Sequence, residues 1–262
     1  MTAVTTSRPH RVSGGYGFSN VARMEWIKLR SLRSTWVTLA LTGAASVGIS
    51  VAVGLNTHHA GGDLTSNALA GVAAGLLLIG VLGVMMATSE YTSGLIKTTL
   101  AAAPNRPLVL AAKAAVFGAI ALVLGEAASF ISFFGGGLTL RHGIAAPTLG
   151  QHGVLQAVLL TGASYALIGL LGLGLGTIVR HTAVAVAIMV GGVYVAAQGL
   201  ASIAHSALAY IPISIVASSL STTKPVGHGV HMLSPWAGLG MLALYAAVLL
   251  GIGGVQLARR DA

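Results

Sequence analysis

The sequence predicts an all-α polytopic membrane protein with six transmembrane helices, and three observations carry that prediction. Charged residues are 7% of the 262 and apolar ones 55%, whereas soluble domains run at about 25% charged. So few charges cannot clothe a water-facing surface. Six apolar stretches reach the ~20 residues that a helix needs to cross a bilayer. They are filled with Gly, Ala, Leu and Val and lack period-two alternation, which favours helices over a barrel.

Taken in order, residues 1–18 are polar and rich in Gly, Ser and Thr. They read as a flexible cytoplasmic tail rather than a signal peptide. Residues 19–262 form a single transmembrane domain. Its approach, EWIKLRSLRSTW (Glu25–Trp36), carries Arg23, Trp26, Lys28, Arg30 and Arg33 and suits the membrane interface. Met24, Trp26, Ile27, Leu29 and Leu32 are spread round a helical wheel among the basic residues, so the polarity split is poor. The spans are placed at Trp36–Leu55, Ala68–Thr88, Leu108–Phe134, Val154–Val179, Ala183–Ile203 and Trp236–Leu257.

The charges assign sides. Arg8, Arg11, Arg23, Lys28, Arg30, Arg33, Lys97, Arg106, Lys113, Arg180, Arg259 and Arg260 fall on one side; only Arg141 and Lys224 fall on the other. By the positive-inside rule both termini are cytoplasmic and the number of spans is even. This accounts for the net charge of +9 through topology and attraction to membrane lipid. A nucleic-acid partner is set aside, because the basic groups do not converge on aromatic or groove-reading elements.

Between spans 2 and 3 lies SEYTSGLIKTTLAAAPNR (Ser89–Arg106). On a helical wheel Tyr91, Leu95, Ile96, Leu100, Ala102 and Ala103 share one half, and Glu90, Ser93, Gly94, Lys97, Thr98 and Ala101 the other. An amphipathic helix is expected, starting with Ser89 as N-cap and stopping at Pro104-Asn105. It would lay its apolar half on the bilayer or the spans and offer Glu90 and Lys97 to the cytoplasm. Tyr210–Pro235, between spans 5 and 6, holds an apolar run broken by Pro212 and reads as a re-entrant outer-face segment. Gly71/Gly75 and Gly172/Gly176 fit close helix packing.

Glu126 is the acidic residue placed within a span, and an intramembrane carboxyl is a functional candidate by default. Gln156 and Gln198 are its possible partners. Most histidines (His58, His59, His142, His152, His205, His228 and His231) fall on the outer face and read as polar loop residues, so no metal site is expected. With no cysteine and five acidic residues, no catalytic constellation is expected either. The chain has no G-x-x-x-x-G-K-[ST] to hold ATP phosphates.

The run E-Y-x-x-G-x-x-x-T-x-L-A-A-x-P-x-R, Glu90 to Arg106, followed by Lys113, resembles the coupling helix of ABC type-2 exporter permeases. Glu25–Trp36 is similar to the N-terminal approach of actinobacterial members of that family. The span count, the long connection after span 2 and the re-entrant segment are similar too, so the resemblance covers nearly the whole chain. It implies a plasma-membrane permease subunit that binds no cofactor itself and works as a homodimer, or paired with a similar second permease, with two ABC ATPase subunits, which hold ATP and Mg. The ATPase-coupling positions would be Glu90, Tyr91, Gly94, Lys97, Thr98, Pro104 and Arg106. The cargo would be an amphiphile such as an antibiotic, peptide or lipid-like molecule. The poor polarity split of residues 23–33 departs from the family's amphipathic connecting helix. The alternatives are a proton-coupled secondary transporter using Glu126 and a membrane scaffold or immunity protein.

Overall fold

The computed structural model describes residues 17–58, 63–96, 99, 105–140, 144–195, 199, 209–222 and 232–259. The regular elements among them are all helical, in the order α1 (Phe18–Ser31), α2 (Arg33–Asn56), α3 (Leu64–Ala68), α4 (Val72–Thr92), α5 (Arg106–Leu138), α6 (Val154–Val179), α7 (Thr182–Val190), α8 (Pro212–Leu220) and α9 (Pro235–Arg259). Five of these, α2, α4, α5, α6 and α9, are long and apolar enough to cross a membrane. The chain is therefore a polytopic helical membrane protein.

The fifth expected span, Ala183–Ile203, is described only in part. Beyond α7 the chain continues as a π-helical turn over Gly191–Val195. Residues 182–195 reach about 21 Å, short of a hydrocarbon core of ~30 Å. Residues 196–198 and 200–208 lie outside the described residues, and so does Gln198. Of the expected re-entrant segment, α8 is described; it starts at Pro212 and buries Ile215 and Val216 against α6 and α9. Asp63 caps α3 by accepting from the amides of Thr65 and Ser66, and also accepts from the hydroxyl of Thr222 just beyond α8.

The central helix is α6, flanked by α4, α5 and α9. Its limits coincide with those read from the sequence, because the chain turns left-handed on either side, at Gly153 (φ 82°) and Arg180 (φ 58°). Glycines let its backbone approach α4 closely. A Cβ on Gly172 would collide with the carbonyl of Gly80, and one on Gly83 with the carbonyl of Gly169. Small residues at such contacts give van der Waals packing where lipid supplies no hydrophobic drive between helices. Of the other glycines read as packing positions, Gly176 meets the Val84 carbonyl of α4, Gly71 the Ser46 carbonyl of α2, and Gly75 the side chains of Ser46 and Tyr165. Buried hydroxyls find partners across helices: Ser46 and Tyr165 share a 2.7 Å hydrogen bond, and Ser129 donates to the carbonyl of Val158 at 2.8 Å.

At 33 residues, α5 is about 50 Å long, roughly 20 Å more than a hydrocarbon core. Asn105 starts it by accepting from the Leu108 amide, with Pro107 in the first turn. α1 packs across its first two turns, where Val21 meets Val109 and Ala112. A single extended residue, Leu32, separates α1 from α2. The carbonyls left over at the end of α1 are met by side chains: Ser31 donates to Lys28 O at 2.8 Å and the Trp36 indole to Arg30 O at 3.2 Å. α1, the end of α4, the start of α5, the α6–α7 turn and the end of α9 therefore meet at one end of the bundle, here termed the basic end.

Candidate functional site at the basic end

The polar stretch after the second span folds differently from the expectation. α4 does not stop at Thr88; it runs on through Ser89, Glu90 and Tyr91 to Thr92. Ser89 is no N-cap. Its carbonyl accepts from the amide of Ser93 at 3.0 Å, as a residue in a last helical turn does. The break comes at Gly94, whose φ of 71° lies in the left-handed region where side chains are costly. Helical residues resume at Leu95, Ile96 and Thr99. Lys97, Thr98 and Pro104 lie outside the described residues.

Glu90 is likewise not offered to solvent. It is 8% exposed and belongs to a closed ring of four alternating charges. Lys28 Nζ lies 3.0 Å from Glu25 Oε1 and 2.8 Å from Glu90 Oε1. Lys113 Nζ lies 2.7 Å from Glu90 Oε1 and 2.9 Å from Glu25 Oε2. Each ammonium touches both carboxylates, and the ring is neutral in sum. Lys28 also donates to Thr99 Oγ1 at 3.1 Å, which ties in the stretch that follows Gly94. One cluster thereby joins α1, α4, α5 and the connection between the last two.

Glu25 is 2% and Lys113 6% exposed, so both are committed to the ring; Lys28, at 31%, is its accessible member. Burial alone would lower the Lys28 pKa, but the hydrogen bond to Glu90 and the charges of Glu25 and Glu90 outweigh it and hold the group above its ordinary 10.5. Taking ions out of water costs several kcal/mol each, and only close, complete pairing offsets that. A cavity of about 460 Å³ opens beside the ring, lined among others by Thr35, Thr38, Met85, Met86 and Ser93.

α1 can supply two members because Glu25 and Lys28 stand at i, i+3 on one helix face. Its buried stripe is Val21, Glu25 and Leu29. The polarity split looks poor on a wheel because an acid occupies the middle of the buried face. Trp26, Arg23, Arg30 and Arg33 are exposed. Tyr91 lies under the Arg180 guanidinium, 5.1 Å from its ring centre, so the end of α4 is also tied to the α6–α7 turn. Arg106 donates to the carbonyl of Leu257 at 3.1 Å, a cation on the C-terminal end of α9. The structure thus brings Glu90, Tyr91, Arg106 and Lys28 into contacts that fasten helix ends together. Glu25, Lys113 and Thr99 were not among the expected site residues. The signal for the first two was available: two more charges in a chain with almost none.

Glu126 stands apart, in the middle of α5. Its carboxyl packs against Gly162 of α6, and its Oε2 is buried with no hydrogen-bond partner among the described residues; Gln156 does not supply one. No group of three or more metal-ligating side chains occurs among the described residues. His181 accepts from the Val184 amide as N-cap of α7, while His59, His142, His205, His228 and His231 lie outside the described residues. No protein-family model matches the chain, and no curated protein matches it.

Proposed function

We propose that this chain is the membrane-spanning permease of an ATP-driven exporter of the ABC type-2 kind, with ATP hydrolysed on a separate subunit. The observation that carries the reading is the ring at Glu90. The segment whose residues resemble a coupling helix starts from a side chain locked to α1 and α5. A soluble subunit that displaced the stretch after Gly94 would pull on Thr99 and Glu90, and through them on three helices at once. Interlocked contacts of this sort switch between discrete arrangements rather than bending continuously. A homodimer in the plasma membrane, an amphiphilic cargo and outward transport belong to the same proposal.

The test is solubilisation of the chain from its own membranes in mild detergent, followed by assay of the co-purified material for a nucleotide-binding subunit and its turnover. Leu95→Asp and Lys97→Glu are the informative variants: Leu95 is exposed and supplies no charge to the ring, and Lys97 is the cation that the resemblance assigns to coupling. Wild type that brings down an ATPase, with loss of binding or of stimulation in the variants, supports the reading. Absence of any nucleotide-binding subunit across mild detergents rejects it. A second reading, proton-coupled transport, is favoured by the buried Glu126 oxygen, which has no hydrogen-bond partner among the described residues. It requires flux driven by a pH gradient through the chain alone, abolished in Glu126→Gln.

A further inference from the structure

A second cavity, of about 960 Å³, opens on the side of the bundle between α1, α2 and α5. Its walls are aliphatic, among them Leu39, Ala40, Val116, Ala119 and Leu124, and its one charged lining residue is Arg23. Arg23 stands with Trp26 of α1 and Trp36 at the start of α2, so the charge and both indoles lie at the basic end. Along α5 the groove extends from Ala115 to Ala127, about 18 Å of helix, close to the ~15 Å of hydrocarbon in one leaflet.

We infer that this groove holds a phospholipid of the leaflet at the basic end, one tail along α5 and its phosphate on Arg23. Three features support a lipid as occupant. The groove faces sideways from spans that cross a membrane, so its surroundings are acyl chains. Arg23 is exposed and makes no ion pair with a described residue, and neither do Arg30 and Arg33, so the charge at the mouth is uncompensated. Guanidinium matches phosphate with paired hydrogen bonds. Trp26 and Trp36 are 42% and 45% exposed, as suits rings at headgroup level, and Trp36 is pinned there by its bond to Arg30 O. Arg23, the charged residue lining the groove, favours an anionic headgroup by about five-fold.

The inference rests on the membrane-spanning character of the bundle and not on the exporter reading. Native mass spectrometry of the full chain, titrated with phosphatidylglycerol or phosphatidylcholine, tests it. Ala119→Trp fills the groove from an exposed position and leaves the core untouched; Arg23→Ala removes the phosphate partner. The expected result is one tightly held lipid per chain and several-fold preference for phosphatidylglycerol. Ala119→Trp should lose that lipid, and Arg23→Ala should lose about five-fold in affinity. Lipid retention unchanged in Ala119→Trp would mean annular lipid and overturns the proposal. Displacement of the lipid by inorganic phosphate overturns it in favour of a free-anion site. A dimer that Ala119→Trp splits into monomers, with lipid binding unaltered, overturns it in favour of a second copy in the groove.

Discussion

Replacing Lys113 by Met tests the ring most directly. Met keeps the volume and stem of the lysine and removes its charge. Glu25 and Glu90, 2% and 8% exposed, would then share Lys28 as their only cation in the ring. At an effective dielectric of ~20, each ion pair of the observed length carries about 6 kcal/mol of Coulomb attraction, so about 12 kcal/mol gross disappears. Release of the ammonium from its buried site offsets several kcal/mol of this, and broken buried pairs cost about 3–5 kcal/mol net. For a chain of this size that is an apparent Tm lower by about 10 °C. The assay is thermal unfolding of the detergent-solubilised chain followed by tryptophan fluorescence, wild type and variant scanned at one rate. The double variant Lys113→Met/Glu90→Gln supplies the control, because it leaves Glu25 paired with Lys28 and restores neutrality. It should be more stable than the sum of the single effects by about 2 kcal/mol or more. A Lys113→Met protein that melts with the wild type, or a double variant that is simply additive, refutes the ring as a structural unit.

Three further outcomes concern a turn, a helix contact and the ring's accessible lysine. At Gly94, where φ is 71°, Val should cost about 1–2 kcal/mol and Asn less, since Asn tolerates the left-handed region; melting of the two variants side by side checks the order. Gly172→Leu should destabilise by about 1–3 kcal/mol, because its side chain would enter the contact with Gly80, whereas Gly251→Leu, with open space around it, should melt near the wild type. The raised pKa of Lys28 predicts a pH dependence. Its stabilising contribution is complete below 10.5 and is lost as pH rises through the higher folded value. Tm against pH in the alkaline range should therefore fall more steeply for the wild type than for Lys28→Met; parallel curves would refute it.

Apolar length alone located α2, α4, α5, α6 and α9, because lipid leaves the backbone no partner but itself. The limits of α6 were legible to the residue, since local backbone turns set them. The end of α4 was not. A polar Ser-Glu pair after an apolar run reads as an exit from the membrane and a fresh start. Its true continuation depends on lysines 62 residues before and 23 after Glu90. The same non-local pairing hid Glu25, which on a wheel merely blurs an amphipathic pattern. Gly94 could be recognised as a helix stop from its type; that it ends α4 rather than sitting inside a new helix depended on where that helix began.

The ring also sets an order of assembly. Glu25 and Lys28 can pair as soon as α1 forms, three residues apart. Glu90 emerges two spans later, and the ring stays open until residue 113 has been synthesised. Until then an acid bound for a site 2% exposed has no second cation, and water at the membrane surface must solvate it. The basic end cannot lock until α5 has entered the membrane, so the first helix to be made is among the last to be fixed in place.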